Sequence, residues 1–233
     1  VVFVLVFLFD LFLPKNVQSK LPIVASALFA IYTIASFFVC PSEITGTVFG
    51  GMFESNAATY AIKMILNLGV LIVLLQSARW ANSEFISVRR GEFYSLLLLT
   101  LFGMFLMISA RHFLLFVVGL ETASLPLAAL AAFEKKHYES HEAAAKYVFT
   151  AIFSSAIFML GLSFVYGLTG TLYFNEIALM LINNQSVVLI LAVAFVIAGI
   201  GFKLSLVPFH LWTADVYQGA PTAVTSYLWV ISK

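Results

Sequence analysis

Eight apolar runs recur along this chain, and most have the length that crosses a bilayer, about 17–25 residues. They cover residues 1–14, 21–39, 59–75, 93–110, 112–133, 143–168, 186 to the proline at 208, and 221 onward. Hydrocarbon offers no hydrogen bonds, so each run must satisfy its own backbone, which for single spans means helix. Composition agrees: 62% of the 233 residues are hydrophobic and 10% are charged, against roughly 25% charged in soluble domains. The expected fold class is an all-α polytopic membrane protein with no separate domain in its connections. The leading VVFVLVFLF lacks the basic flank and small-residue cleavage site of a signal peptide. A chain that opens on Val1 and stops at Lys233, each inside an apolar run, is expected to be a fragment with truncated first and last spans.

Basic residues set the expected orientation. Lys15 and Lys20 follow the first run, Arg79, Arg89 and Arg90 the third, Lys135 and Lys136 the fifth. The alternate connections hold Glu43, Glu54 and Glu176 but a single cation, Arg111. By the positive-inside rule the N-terminus lies outside and the segment from His210 to Gly219 inside. Net charge is +1 with the cations mostly confined to short connections, so no nucleic-acid surface is indicated. Cys40 is the single cysteine, which excludes an iron–sulfur cluster or disulfide framework built by this chain alone. No glycine-rich nucleotide motif occurs. Turns are expected at Gly50-Gly51, Asn183-Asn184 and Gly219. YFNEIALMLIN, residues 173–183, is either a short interfacial helix or an extension of the sixth run.

The most informative stretch is GIGFKLSLVPFHLWTADVYQGAPTAVT, residues 199–225, where an apolar run acquires Lys203, Pro208, His210 and Asp215. A helix broken by proline is tolerated in lipid only where protein or a water-filled cavity surrounds it, so Pro208 marks a candidate broken helix. The bland reading is a proline kink with a snorkelling lysine. Glu121 lies mid-run, where an unpaired carboxylate costs about 2.5–3.5 kcal/mol and must be paired, protonated or wet. Its bland reading is a permanently neutral acid bonded to a neighbouring helix. Lys203 at similar depth is its natural partner, and moving one charge relative to the other alters proton affinity. Lys233, roughly 18 Å into the eighth run at helical rise, completes a candidate relay. Glu142 and Lys146 stand four residues apart at the mouth of the sixth run, as a surface ion pair would. Lys63 and Asp10, near run ends, are expected to snorkel. His210 either shuttles protons or bonds a freed carbonyl. Ser154 and Ser155, with Ala151 and Ala156, form a small-residue face suited to helix packing.

FKLSLVPFHLWTADVYQGAPTAVT, with GLETASLPL and EAAAKYVFTAIFSSAIFMLG upstream, resembles the subunit N (mitochondrial subunit 2) family of proton-pumping NADH:quinone oxidoreductase, respiratory complex I. The resemblance runs from about Glu92 onward, and DVYQGAPT is its specific part. The related L and M subunits and the Mrp antiporters tend to differ between the aspartate and the APT. Ala214 and Ala223 stand where the family usually has proline.

The resemblance implies an antiporter-like bundle of about fourteen helices with two inverted five-helix repeats, each containing a broken helix. Residues 1–91 would hold helices 1–3, and residues 92–233 the first repeat, helices 4–8, with a broken seventh helix. Glu121, Lys203 and Lys233 would form the proton relay, with Lys146 and His210 secondary. No catalytic, metal or cofactor-binding residue is implied in this chain; NADH, flavin, iron–sulfur clusters and quinone would belong to other subunits. Expected partners are membrane-arm subunits, lipid, protons and internal water, in a bacterial plasma membrane or mitochondrial inner membrane. Two other functions remain: a Mrp-type cation/proton antiporter or membrane-bound hydrogenase subunit, and a structural subunit whose buried ion pair fixes packing.

Overall fold

The computed structural model describes residues 2–12, 20–38, 45–83, 86, 89–182 and 186–232. The expectations for Lys233, Lys15, Cys40, Glu43 and the Asn183-Asn184 turn lie outside them. Within the described residues the helices are α1 (Val2–Phe12), α2 (Leu21–Phe38), α3 (Ala57–Ala81), α4 (Arg90–Ser109) and α5 (Phe113–Ala131), followed by α6 (Tyr138–Thr169), α7 (Phe174–Ile182), α8 (Val187–Leu204), α9 (Leu211–Gly219) and α10 (Thr222–Val230). Six of them, α2 to α6 and α8, are long and apolar enough to cross a membrane.

α4 is the most buried of these spans. It carries or adjoins the largest enclosed side chains: its own Phe93 and Tyr94, with Phe29 and Tyr227, are at most 1% exposed. α4 packs most extensively on α5, and α6 on α8. Small residues make this possible. A Cβ added to Gly103 of α4 would lie 2.4 Å from the Ala123 nitrogen and 2.6 Å from the Gly119 carbonyl oxygen on α5, so the two backbones touch. The α6–α8 contact is built alike, with Ser154 donating a 2.7 Å hydrogen bond to the Gly199 carbonyl. That matches the packing role expected of Ser154.

The connections depart further from expectation. Gly50 and Gly51 do turn the chain, but between two strands, β1 (Gly46–Val48) and β2 (Phe53–Ser55), paired antiparallel. Phe49, Gly50 and Gly51 all have positive φ, which the two glycines permit without a Cβ clash. This hairpin caps one end of the bundle. Its Met52 carbonyl accepts from the Arg111 backbone N–H at 2.8 Å, and the Arg111 carbonyl in turn accepts from the N–H of Phe174 at 3.0 Å. Arg111 also grips Glu54 through two nitrogens, at 2.6 and 2.7 Å. The guanidinium holds the Glu54 carboxylate below its ordinary range.

α7 is a helix in its own right, separated from α6 by a left-handed residue at Gly170. Lys63 reaches toward the end of the bundle. It donates to Ser109 at 2.5 Å and lies 5.1 and 5.8 Å from the ring centroids of Phe53 and Phe105, under the hairpin. Asp10 packs against Gly91 in the first turn of α4, where a Cβ would overlap its carboxylate and the helix dipole favours an acid.

Because Gly103 and Gly119 let α4 and α5 meet backbone to backbone, Gly103→Leu is expected to destabilise the detergent-solubilised protein by about 1–3 kcal/mol or more. Thermal unfolding monitored by tryptophan fluorescence checks this; an unchanged midpoint would show that the contact does not hold the bundle.

Candidate functional site

Glu121 sits mid-way along α5, and Ser124 lies one turn further on the same face. Ser155, from the middle of α6, donates its hydroxyl to Glu121 Oε1. Lys203, in the last turn of α8, donates to the Ser124 hydroxyl oxygen at 2.9 Å. The acid and the base singled out from sequence thus share one face of α5. They do not touch: among the described residues no ion pair within 4.0 Å joins Glu121 to Lys203. Each ends instead on a serine. The expectation of a direct pair is corrected in this respect, because hydroxyls on α5 and α6 reach both side chains first. Ser154 serves packing and Ser155 serves the acid, although the two are adjacent in sequence.

Lys203 owes its position to the end of α8. The helix stops at Leu204 because Ser205 is left-handed, with φ 56 and ψ 40. The Leu206 N–H bonds back to the Gly201 carbonyl at 2.8 Å, and Ser205 N–H to that of Phe202 at 3.2 Å, the closing pattern of a Schellman turn. A left-handed serine is uncommon and needs support. Thr213 of α9 gives it, with a hydroxyl–hydroxyl bond of 2.6 Å to Ser205. The Trp212 indole N–H donates to the Phe202 carbonyl at 3.1 Å. The helix is therefore broken as expected, but at Ser205 rather than Pro208. Pro208 lies in the turn 207–210 that leads into α9, after a cis Val207–Pro208 bond. His210 begins α9, is exposed, and borders a groove with Thr213 and Tyr217. The carbonyl freed at the break is taken by Trp212 and not by this histidine.

Lys203 and Ser124 open onto a cavity of about 350 Å³ walled by α4, α5, α6, α8, α9 and α10. Most of its lining is apolar, yet Tyr147, Thr150 and Ser154 of α6 contribute hydroxyls. Tyr147 lies beside Ser124. At the far side is Ser232, the residue before Lys233.

Toward the end of the bundle opposite the hairpin, Lys146 forms the expected pair with Glu142 at 2.7 Å. It makes a second one, to Asp215 of α9, at 2.5 Å. Sequence spacing reveals the first partner and not the second, which comes from a helix 69 residues away. Next to this pair, Gly219 of α9 presses on α6 so closely that a Cβ would lie 2.4 Å from the Glu139 carbonyl. An ionic clamp and a steric fit therefore hold α9, and with it the Trp212 wall of the cavity, onto α6. Gly219, expected to mark a loop, is a packing residue at the helix end.

Residues 110–233 match the family model described as NADH:quinone oxidoreductase/Mrp antiporter, transmembrane. The chain belongs to this family. With six helices among the described residues long and apolar enough to cross a membrane, this member of the NADH:quinone oxidoreductase/Mrp antiporter family is an integral, multi-pass membrane protein. It is 49% identical to a Phocaeicola vulgatus protein named NADH-quinone oxidoreductase subunit N, over 100% of this chain and 48% of that protein. A chain of Thermus thermophilus respiratory complex I, solved with bound Aureothin, matches with TM-score 0.77 at 29% identity, over 100% of this chain and 49% of that one. A chain of the Mrp complex from Dietzia shares the fold, with TM-score 0.73 at 18% identity over 95% of this chain and 43% of that one. The chain thus spans about half the length of the proteins it matches.

Removing the clamp should loosen α9. In Lys146→Met, amide hydrogen exchange over Leu211–Gly219 is expected to rise, while exchange over the N-terminal half of α8 stays near that of the parent. Equal protection of α9 in both proteins would show that packing alone holds it.

Proposed function

We propose that this chain is the proton-conducting first half of a membrane-arm subunit of NADH:quinone oxidoreductase, subunit N. In this reading residues 1–91 carry the first three helices and residues 92–233 the first antiporter-like repeat. One observation carries the proposal: Glu121, mid-way along α5, and Lys203, at the end of α8, are each held by a hydroxyl, and Lys203 with its serine lines a cavity that reaches Ser232. A charge that costs several kcal/mol to insert persists where it can exchange its proton with an internal polar space. Glu121 senses charge movement elsewhere in the assembly, and Lys203 takes up or releases a proton in response. Lys233 passes it laterally. Lys146 and His210 connect the site to the aqueous side, the first through its two carboxylate partners. Electron transfer itself, with NADH, flavin, iron–sulfur clusters and quinone, belongs to other subunits. The N-terminus faces outward, by the distribution of cations between alternate connections. The membrane is that of a respiring bacterium or the mitochondrial inner membrane.

The test uses the full-length subunit in the assembled complex. Glu121→Gln and Lys203→Ala are expected to give complexes that assemble, verified on native gels, but translocate protons on the order of tenfold more slowly, the scale of a positioned proton-transfer group. Unchanged proton translocation in both variants would overturn the relay. Failure of Glu121→Gln to assemble, with transport intact in whatever complex forms, would assign the pair to packing.

A further inference from the structure

The two serines at the site do different chemical work. A hydroxyl has one proton to donate and two lone pairs to accept with. Ser124 spends its proton on the Leu120 carbonyl of its own helix, at 2.7 Å, the ordinary arrangement for a serine in a membrane helix. What remains is an oxygen, and Lys203 donates to it. Ser155 sends its proton across to Glu121. Both serines are buried, at 7% and 8% exposure, so water does not compete freely for either bond.

Glu121 and Ser124 are three residues apart on α5, about 4.5 Å along the axis. A shift of the Lys203 ammonium by one helical turn therefore exchanges one partner for the other. On Glu121 the ammonium faces an opposite charge, which favours the protonated form; on Ser124 it faces a neutral oxygen, with the Tyr147 hydroxyl of α6 beside it, in a mostly apolar cavity, which does not. These are two discrete arrangements of one side chain with different proton affinity, and moving charge near Glu121 biases between them.

We propose that Ser124 and Ser155 are positioning residues that hold Lys203 and Glu121 one turn apart. They stabilise the separated arrangement, from which the Lys203 ammonium gives its proton to a water molecule of the cavity and becomes a neutral amine. The Ser155 hydroxyl anchors the Glu121 carboxylate toward α6 by one oxygen, turning it away from Lys203. The Ser124 oxygen gives Lys203 somewhere else to bond. Removing either hydroxyl tips the balance the same way, toward the charged pair.

This inference rests on the proton-relay reading, and the experiment separates the two. Ser124→Ala, Ser155→Ala and the threonine variants at both positions are placed in the full-length subunit of the assembled complex, and proton translocation is measured against pH beside Glu121→Gln and Lys203→Ala. Either alanine variant is expected to slow translocation severalfold and move the alkaline limb of the profile to higher pH by about one unit, the lower end of an opposite charge's effect at close range. Threonine, which keeps the hydroxyl, restores the limb. A reduced rate without a displaced limb, or a displaced limb that threonine does not restore, assigns the serines to packing and overturns the proposal. Unaltered alanine variants beside impaired Glu121→Gln and Lys203→Ala overturn it while leaving the relay standing. Unaltered transport in all of them overturns both.

Discussion

A charge inside a hydrocarbon slab has no partner except what the protein supplies, and nearly every feature of this bundle follows from that. Glu121 is met by Ser155 and Lys203 by Ser124; Lys63, nearer the hairpin, is met by Ser109 and two aromatic rings. Each of these cations and acids sits where neighbouring helices come close enough to deliver a hydroxyl. That closeness depends in turn on residues without bulk. Gly103 against Gly119 draws α4 to α5, and Gly161 and Gly199 draw α6 to α8, leaving no room for a Cβ at either crossing. Tight backbone contact at these crossings and an open cavity between them are two results of the same packing.

The broken helix is the second consequence. Ending α8 at Ser205 leaves carbonyls without intrahelical partners, which lipid would not tolerate. Trp212 and the Schellman turn take them up, and Thr213 secures the left-handed serine. The Trp212 and Thr213 supports come from α9, so a docked α9 reinforces the break. Lys146, between Glu142 and Asp215, docks it. The ionic cluster of Lys146 thus supports Lys203 indirectly, through α9.

Much of this was readable in the sequence, for a physical reason. A charged residue in an apolar run announces itself, so Glu121 and Lys203 stand out, and hydropathy places the six described helices long enough to span, with ends that differ by up to six residues. Serine announces nothing, because in membrane helices it usually bonds its own backbone or packs. Ser155 therefore looked like its neighbour Ser154, and only the crossing of α5 and α6 separates them. The break was assigned to Pro208 because proline is the strongest local signal, whereas a left-handed serine depends on the tertiary bond from Thr213. Asp215 finds Lys146 across the fold, which spacing along one helix does not reveal. The hairpin, three residues to a strand, is too short for a period to show, and only its Gly50-Gly51 turn was visible.

The claim that matters most is that the middle of this bundle is wet. The direct test is an electron cryomicroscopy map of the complete assembly at a resolution that shows ordered water. The account predicts water between Ser124, Lys203 and Ser232, continuous with density beside Glu121. A dry cavity, closed by side chains or filled by an acyl chain with Glu121 turned toward it, would contradict the account.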